Sequence, residues 1–472
     1  MPNRQETSPT PQPLTAVLDL PEAAALYKNP PPPFGHALLA CFAFDPAYIN
    51  LNHGSYGSLS SPVREACDAL SALIERNPDK FNRFTYQPLL AHVRARLAAF
   101  VGADADEVVM VPNASHGLAT VLRNFDWAAG DVLIDATTTY NSVAKALRHL
   151  ADTPPHPALS HFDLRFPTTH AQIVAAFRAH LRAIPRHHTQ DNNPQKIVAV
   201  IDSIASNPGV LLPWKEMVAV CREEGVWSVV DAAHSIGQEP GLDLRASGCD
   251  FWVSNCHKWL IGKRASAVLY VPRRCVWSYH RDSDWDFDVW VDARRNQHVI
   301  RTPIPTPHSY APPGDPARPA FPVLFEWNGT IDFIPALSVD AALDFRTWLG
   351  GEEAINGYCH ALALAGGARM AEILGTEVLH GADAHELTLN MVNVALPLPP
   401  DLPYTFALDH VFRTRLLDEF KTYVAHFPHN GRVWVRASAQ VFNDVSDFEY
   451  AAGALKAICA DVSAAHERGE SV

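Results

Sequence analysis

From residue 107 to residue 271 the chain switches repeatedly between short apolar runs and longer segments with helical spacing, an alternation that restricts the fold more than any other feature. Glu107-Val-Val-Met-Val111 precedes a helical pattern over Ala114 to Asn124, Asp131-Val-Leu-Ile134 one over Asn141 to Ala151, and Lys196 to Ile201 one over Trp214 to Glu224. Val226 to Asp231, Phe251 to Ser254 and Ala265 to Val271 add three further β-rich runs. Strands that are apolar on both faces must be covered on both, and amphipathic helices do this when they carry the chain between parallel strands. The expected class is α/β with a mainly parallel sheet, whose ligands bind beyond the carboxyl ends of the strands.

The flanks complete the plan. Pro62 to Ile74 and Gln87 to Phe100 have helical spacing, and from about Thr330 longer helices dominate, with strands at Met391 to Leu396 and Arg432 to Val435. This predicts an N-terminal arm over residues 1–47, a large domain over 48–325 and a smaller α+β domain over 326–472. Trp277 to Pro322, rich in Asp, Arg and Pro, reads as a surface excursion. A formal net charge of -13 without dense Lys/Arg runs argues against nucleic acid or an anionic membrane and for a small-molecule substrate. Met1 to Leu14 lacks the apolar core of a signal peptide and no stretch is long enough to span a bilayer, so a cytoplasmic protein is expected. The eight scattered cysteines form no CxxC pair or metal-like spacing, and no metal site is expected.

Within this frame Lys258 follows His257 just beyond a strand, and Asp231 ends the run Trp227-Ser-Val-Val-Asp231. An amine that forms a Schiff base needs a fixed, partly desolvated position, and pyridoxal 5'-phosphate (PLP) needs a carboxylate at its ring nitrogen. Lys258 and Asp231 can be that pair, although an arbitrary lysine after a strand is usually a surface residue and a strand-end aspartate often caps a helix. His234, three residues beyond Asp231, can reach the ring's phenolic oxygen; alone it reads as a structural histidine. Asn113-Ala-Ser-His-Gly117 offers phosphate a helix start and a hydroxyl, which is also the geometry of an N-cap. Asn255, His257 and Thr330 can add donors, and Tyr140 sits where a ring can stack on the cofactor. Arg436 ends a late strand, where a fixed guanidinium can bind an α-carboxylate; otherwise it is a surface ion-pair residue. The loop Leu51-Asn-His-Gly-Ser-Tyr-Gly57 reads either as a plain turn or as a substrate-facing loop offering Asn52, His53 and Tyr56.

In this order, LNHGSYG, NASHGL, the aromatic at 140, VDAAHSIGQ, SNCHKW, EWNGT and VWVRAS resemble the class V aminotransferases of PLP fold-type I, a family that includes isopenicillin N epimerase and the cysteine desulfurases. The resemblance runs from about Tyr48 to Tyr450. It implies a large domain with a mainly parallel seven-stranded sheet and a smaller C-terminal domain. It also implies Lys258 as Schiff-base lysine, Asp231 as pyridinium partner, His234 at the phenolate oxygen and Tyr140 as stacking ring. Ser115, His116, Asn255 and His257 take phosphate-binding places, Thr330 reaches the phosphate across a homodimer interface, and Arg436 holds the substrate carboxylate. Asn255 departs from the serine usual in desulfurases. Within the class the chain is most similar to epimerase-like members, and among these to the hercynylcysteine sulfoxide lyases.

Three chemistries compete. Desulfuration needs a thiolate on a mobile loop well after the lysine, and Cys275, Cys359 and Cys459 are poorly placed for it. Epimerisation needs a proton delivered to the opposite face of the carbanion. β-Elimination needs Lys258 as base and an acid near the departing sulfur, for which Tyr140 is the candidate. The expected substrate is a cysteine S-conjugate, hercynylcysteine sulfoxide, with Tyr56 and the segment Phe81 to Tyr86 available to a trimethylammonium group. A PLP-fold scaffold without catalysis is the remaining reading, and the intact set of Lys258, Asp231 and Arg436 argues against it.

Overall fold

The computed structural model describes residues 10–187, 195–275, 291–292, 297–298, 321–327, 329–380 and 385–470. The predicted excursion over Trp277 to Pro322 therefore falls almost wholly outside the described residues.

Seven strands form the central sheet: β1 Val108–Val111, β2 Val132–Ala136, β3 Ala158–Phe162, β4 Ile197–Asp202, β5 Trp227–Asp231, β6 Phe251–Asn255 and β7 Ala267–Tyr270. Their spatial order is β1-β7-β6-β5-β4-β2-β3, with β7 antiparallel to both neighbours and the other pairings parallel. Side chains alternate between two cores, as the pleat requires. Val109, Leu133, Val198, Val229, Val253 and Leu269 point to one face, and Met110, Ile134, Ala199, Val230, Trp252 and Val268 to the other.

Helices α3 (Ala114–Arg123) and α4 (Asn141–Asp152) cover the first face through Leu118, Val121 and Leu147. The second face is covered through Leu97, Phe177, Met217 and Leu337 of α2 (Tyr86–Val101), α5 (His170–Ala183), α6 (Trp214–Glu223) and α7 (Ile334–Trp348), while α1 (Ser61–Arg76) packs against α7. Every side chain of β1, β4, β5, β6 and β7 is buried, which explains their unbroken apolar runs. Edge strand β3 is partly exposed, and its mixed composition left it without a signal in the sequence.

The C-terminal region adds an antiparallel sheet of three strands, β8 (Met391–Ala395), β9 (Ala425–His429) and β10 (Arg432–Ser438), in the order β8-β10-β9. Helix α8 (Gly351–Leu374) packs against β8 and against the C-terminal helix, α9 (Val445–Glu467). Just past residue 48 the chain meets the C-terminal region. Ile49–Asn50 pairs in parallel with Thr422–Tyr423, and Ser438 N–H donates to Leu51 C=O, so the early loop rests on the C-terminal sheet.

Candidate active site

Strands β4 and β5 end side by side, and Asp202 and Asp231 are register partners at their last positions. Strand β6 ends at Asn255, and the chain then turns through Cys256 to Gly262 before β7 returns it. This turn carries Lys258 and is braced from three sides. His53 Nε2 donates to Lys258 C=O at 3.0 Å, Arg346 Nη1 of α7 donates to Trp259 C=O at 2.7 Å, and Gly57 lies directly against His257. A Cβ on Gly57 would sit 1.7 Å from the His257 carbonyl oxygen, so this contact excludes every side chain. Ile261 and Ala265 hold left-handed backbone conformations on the far side of the turn, strain of about 1–3 kcal/mol each.

The Lys258 amine lies 3.0 Å from His234 Nε2. His234 is 2 % exposed, and burial drives its pKa well below the usual histidine value, so the ring is neutral. Trp259 Nε1, which can only donate, meets His234 Nδ1 at 3.4 Å. Nδ1 is therefore the acceptor, the ring proton resides on Nε2, and Lys258 Nζ accepts it. That arrangement requires an unprotonated amine. Burial, reinforced by the Arg436 charge and opposed by Asp231, lowers the Lys258 pKa to about 7, in agreement. Asp231 is buried, its pKa raised by burial and pulled back by the Ala233 N–H that it accepts at 3.1 Å and by Lys258.

At the other end of the cavity α3 begins. Its Ala114 N–H donates to Asn255 Oδ1 at 2.9 Å and its His116 N–H to the capping Asn113 Oδ1 at 2.8 Å. The Asn255 amide group keeps its NH2 as a free donor type, and Ser115 Oγ meets Ser142 Oγ at 2.8 Å. Asn113 thus does serve as a cap, while the exposed helix start beside it suits an anion. His257 Nδ1 donates to Ser266 C=O at 3.1 Å, and burial lowers its pKa to about 4. Its Nε2 therefore bears no proton at neutral pH, and a phosphate there must draw one in.

Arg436 is 2 % exposed, and burial lowers its pKa to about 10. Its Nη1 donates to Ser206 C=O at 2.7 Å and its Nη2 to Ser55 Oγ at 2.8 Å, while Nε has no partner. Among the described residues no carboxylate pairs with it. A buried cation without a counter-ion is costly, and an incoming carboxylate relieves that cost.

One cavity collects Lys258, Asp231, His234, Asn255, His257, Ser115 and Tyr140, with Ser55, Ser206 and Asp202 beside them. Tyr140 is half exposed at the start of α4. His116 and Thr330 are exposed and lie outside this lining. Arg436 stands behind Ser55 and Ser206, and Asn52 accepts from Ser55 Oγ at 2.7 Å. His53 is a brace behind the lysine and no part of this cavity. Together with Asn52 and Tyr56 it lines a neighbouring pocket with Phe44, Tyr48 and Tyr423. The aromatic segment available to a trimethylammonium group, whose rings could equally be core, is core at two positions: Phe81 is buried, and Tyr86 packs on Phe333 with ring centroids 4.0 Å apart. Sequence reasoning missed Ser55, Ser142, Ser206, Arg346 and Asp202. Only Asp202 carried a readable signal, because it ends an apolar strand as Asp231 does.

The sheet order and the lysine turn define a PLP-dependent enzyme of fold-type I. A solved complex of the cystine C-S lyase C-DES with its product shares the fold, with TM-score 0.67 and 20% identity, covering 87% of this chain and 98% of that one. The family model for aminotransferase class-V matches residues 80–278. The L-cysteine desulfhydrase-like protein lolT1 of Epichloe uncinata is 34% identical, covering 91% of this chain and 97% of that protein. Hercynylcysteine sulfoxide lyase of Schizosaccharomyces pombe is 27% identical over 90% of this chain and 98% of its own length. The chain belongs to the class V aminotransferase family. Its cofactor is PLP, and the residues fit that molecule: a buried amine of lowered pKa at Lys258, a carboxylate at Asp231, and a helix start with serine hydroxyls at Ser115 and Ser142.

Proposed function

We propose that this chain is a carbon–sulfur β-lyase that cleaves a cysteine S-conjugate sulfoxide, hercynylcysteine sulfoxide, with water to the thiol-side sulfenic acid, pyruvate and ammonia. The observation that carries the reading is the Lys258 amine, 3.0 Å from His234 Nε2 in a cavity that no cysteine lines. Bound PLP acidifies the substrate's α-C–H. Lys258 Nζ takes that proton, and the Tyr140 hydroxyl supplies one to the departing sulfur. Arg436 would hold the α-carboxylate, Asp231 would serve the ring nitrogen and His234 Nε2–H the phenolic oxygen. Ser115, His116, Asn255 and His257 hold the phosphate, joined by Thr330 of a partner subunit in a cytoplasmic homodimer.

Two further observations support elimination over desulfuration. All eight cysteines are buried, and burial pushes the thiols of Cys359 and Cys459 up to about 12, far from a ready thiolate. The relatives reported above carry names for carbon–sulfur cleavage. The desulfhydrase-like name of the 34% identical relative favours a second reading, in which L-cysteine is the substrate and the same residues expel sulfide.

Purified enzyme incubated with hercynylcysteine sulfoxide, other S-substituted cysteine sulfoxides and L-cysteine separates these readings, with pyruvate followed by a coupled dehydrogenase. Pyruvate from the sulfoxides is expected. Pyruvate and sulfide from L-cysteine alone would replace it with the second reading, and deuterium entering the α-carbon without pyruvate would point to an epimerase.

A further inference from the structure

Asp202 has no role in the chemistry above, yet it is 4 % exposed and lines the same cavity. Among the described residues its Oδ2 is buried without a hydrogen-bond partner. Its neighbour Ser203 does not serve it, because the Ser203 N–H donates to Asp231 C=O at 2.9 Å. Register places it directly beside Asp231 on the adjacent strand, and Asp135 of β2, paired with His161, is a further carboxylate near it. The cations of the site are engaged elsewhere: Lys258 lies against His234, and Arg436 against Ser206 and Ser55. The two histidines of the cavity, His234 and His257, are neutral, and the Tyr140 phenol also lines it.

Two carboxylates at adjacent strand ends do not both ionise in a buried site. Asp231 has an N–H donor and the nearer amine, so it keeps the charge. We propose that Asp202 is held as the neutral carboxylic acid and donates its O–H into the cavity, to an acceptor oxygen of the carbonyl or phenolate type on the bound occupant. The unpartnered Oδ2 is the site of that proton. Burial and the Asp231 charge both raise its pKa well above the ordinary carboxylate range, consistent with this state. The pair then divides its labour: an anion at Asp231 for a ring nitrogen, a donor at Asp202 for an oxygen.

The test uses apoprotein and reads protonation directly. An infrared difference spectrum of wild type minus Asp202→Asn at pH 7 is expected to contain the carbonyl stretch of a protonated, deuterium-sensitive carboxylic acid. Its absence at pH 7 overturns the proposal. In PLP titrations of the apoprotein followed by absorbance, Asp202→Asn, which retains a donor, is expected to bind as wild type does, and Asp202→Val to lose roughly tenfold, about one hydrogen bond. Equal losses in both variants overturn it as well. Should Asp202→Val not fold, the infrared comparison, which needs only the asparagine variant, still decides.

Discussion

Lys258 is made a base by its surroundings. Its ammonium form is disfavoured by burial and by the Arg436 guanidinium, so the amine is free above about pH 7. Capture of PLP by apoprotein, timed by stopped-flow absorbance, should therefore accelerate as pH rises through about 7, where an ordinary lysine would still be protonated. Arg436→Met removes the like charge, and the profile should move up by roughly one unit. A profile that stays in place would show that burial alone sets the amine. Lys258→Ala should abolish turnover and leave PLP removable by dialysis. Trp259→Phe keeps the ring and loses the N–H that fixes His234, so the apoprotein should lose about 1 kcal/mol in urea denaturation. In the same variant, nitrogen NMR of His234 should register a tautomer no longer confined to Nε2–H.

At the scale of elements, the site depends on two turns held together by a third element. The turn after β5 and the turn after β6 touch backbone to backbone at Gly237, where a Cβ would lie 2.7 Å from the Trp259 carbonyl carbon. Arg346 of α7 spans both, donating to Trp259 C=O at 2.7 Å and Gly237 C=O at 2.9 Å while paired with Glu352. Arg346→Met should cost about 3–5 kcal/mol, because buried carbonyls and a carboxylate lose their partner together, and urea melts of apoprotein measure it. The same variant should release PLP faster even where it remains folded. The turns themselves were legible, since VDAAHSIGQ and SNCHKW each begin at the end of an apolar strand. The arginine that joins them was not, because nothing local distinguishes Arg346 within a helical pattern. Strand β9 was missed for a related reason: Ala425-His-Phe-Pro-His429 pairs through its backbone with only a partly apolar face.

For the whole molecule, alternation of strands and helices was enough to fix the class and six of the seven strands, since apolar periodicity is a local property, while β3 gave no signal. Which segments meet across the chain is not local, and the pairing of Ile49–Asn50 with Thr422–Tyr423 had no signal in the sequence. Thr330, exposed and away from the cavity of its own chain, is assigned by the proposal to a partner's site. Light scattering should then give twice the 51.9 kDa chain mass. Thr330→Val should weaken PLP retention by roughly tenfold. Mixed dimers of Thr330→Val with Lys258→Ala chains should restore wild-type retention at the one intact lysine, because the partner then supplies the threonine. Retention that stays weak in the mixture would place Thr330 in its own chain's site or in none.

The pairing of Ile49–Asn50 with Thr422–Tyr423 also orders events during synthesis. The brace behind Lys258 comes from His53, yet the loop carrying His53 is anchored on strands that leave the ribosome last, and Ser438 is among its contacts. A nascent chain can complete its seven-stranded sheet, lysine included, while the wall behind that lysine still lacks its support. A product truncated before β10 would accordingly present the lysine without the pocket that makes it reactive.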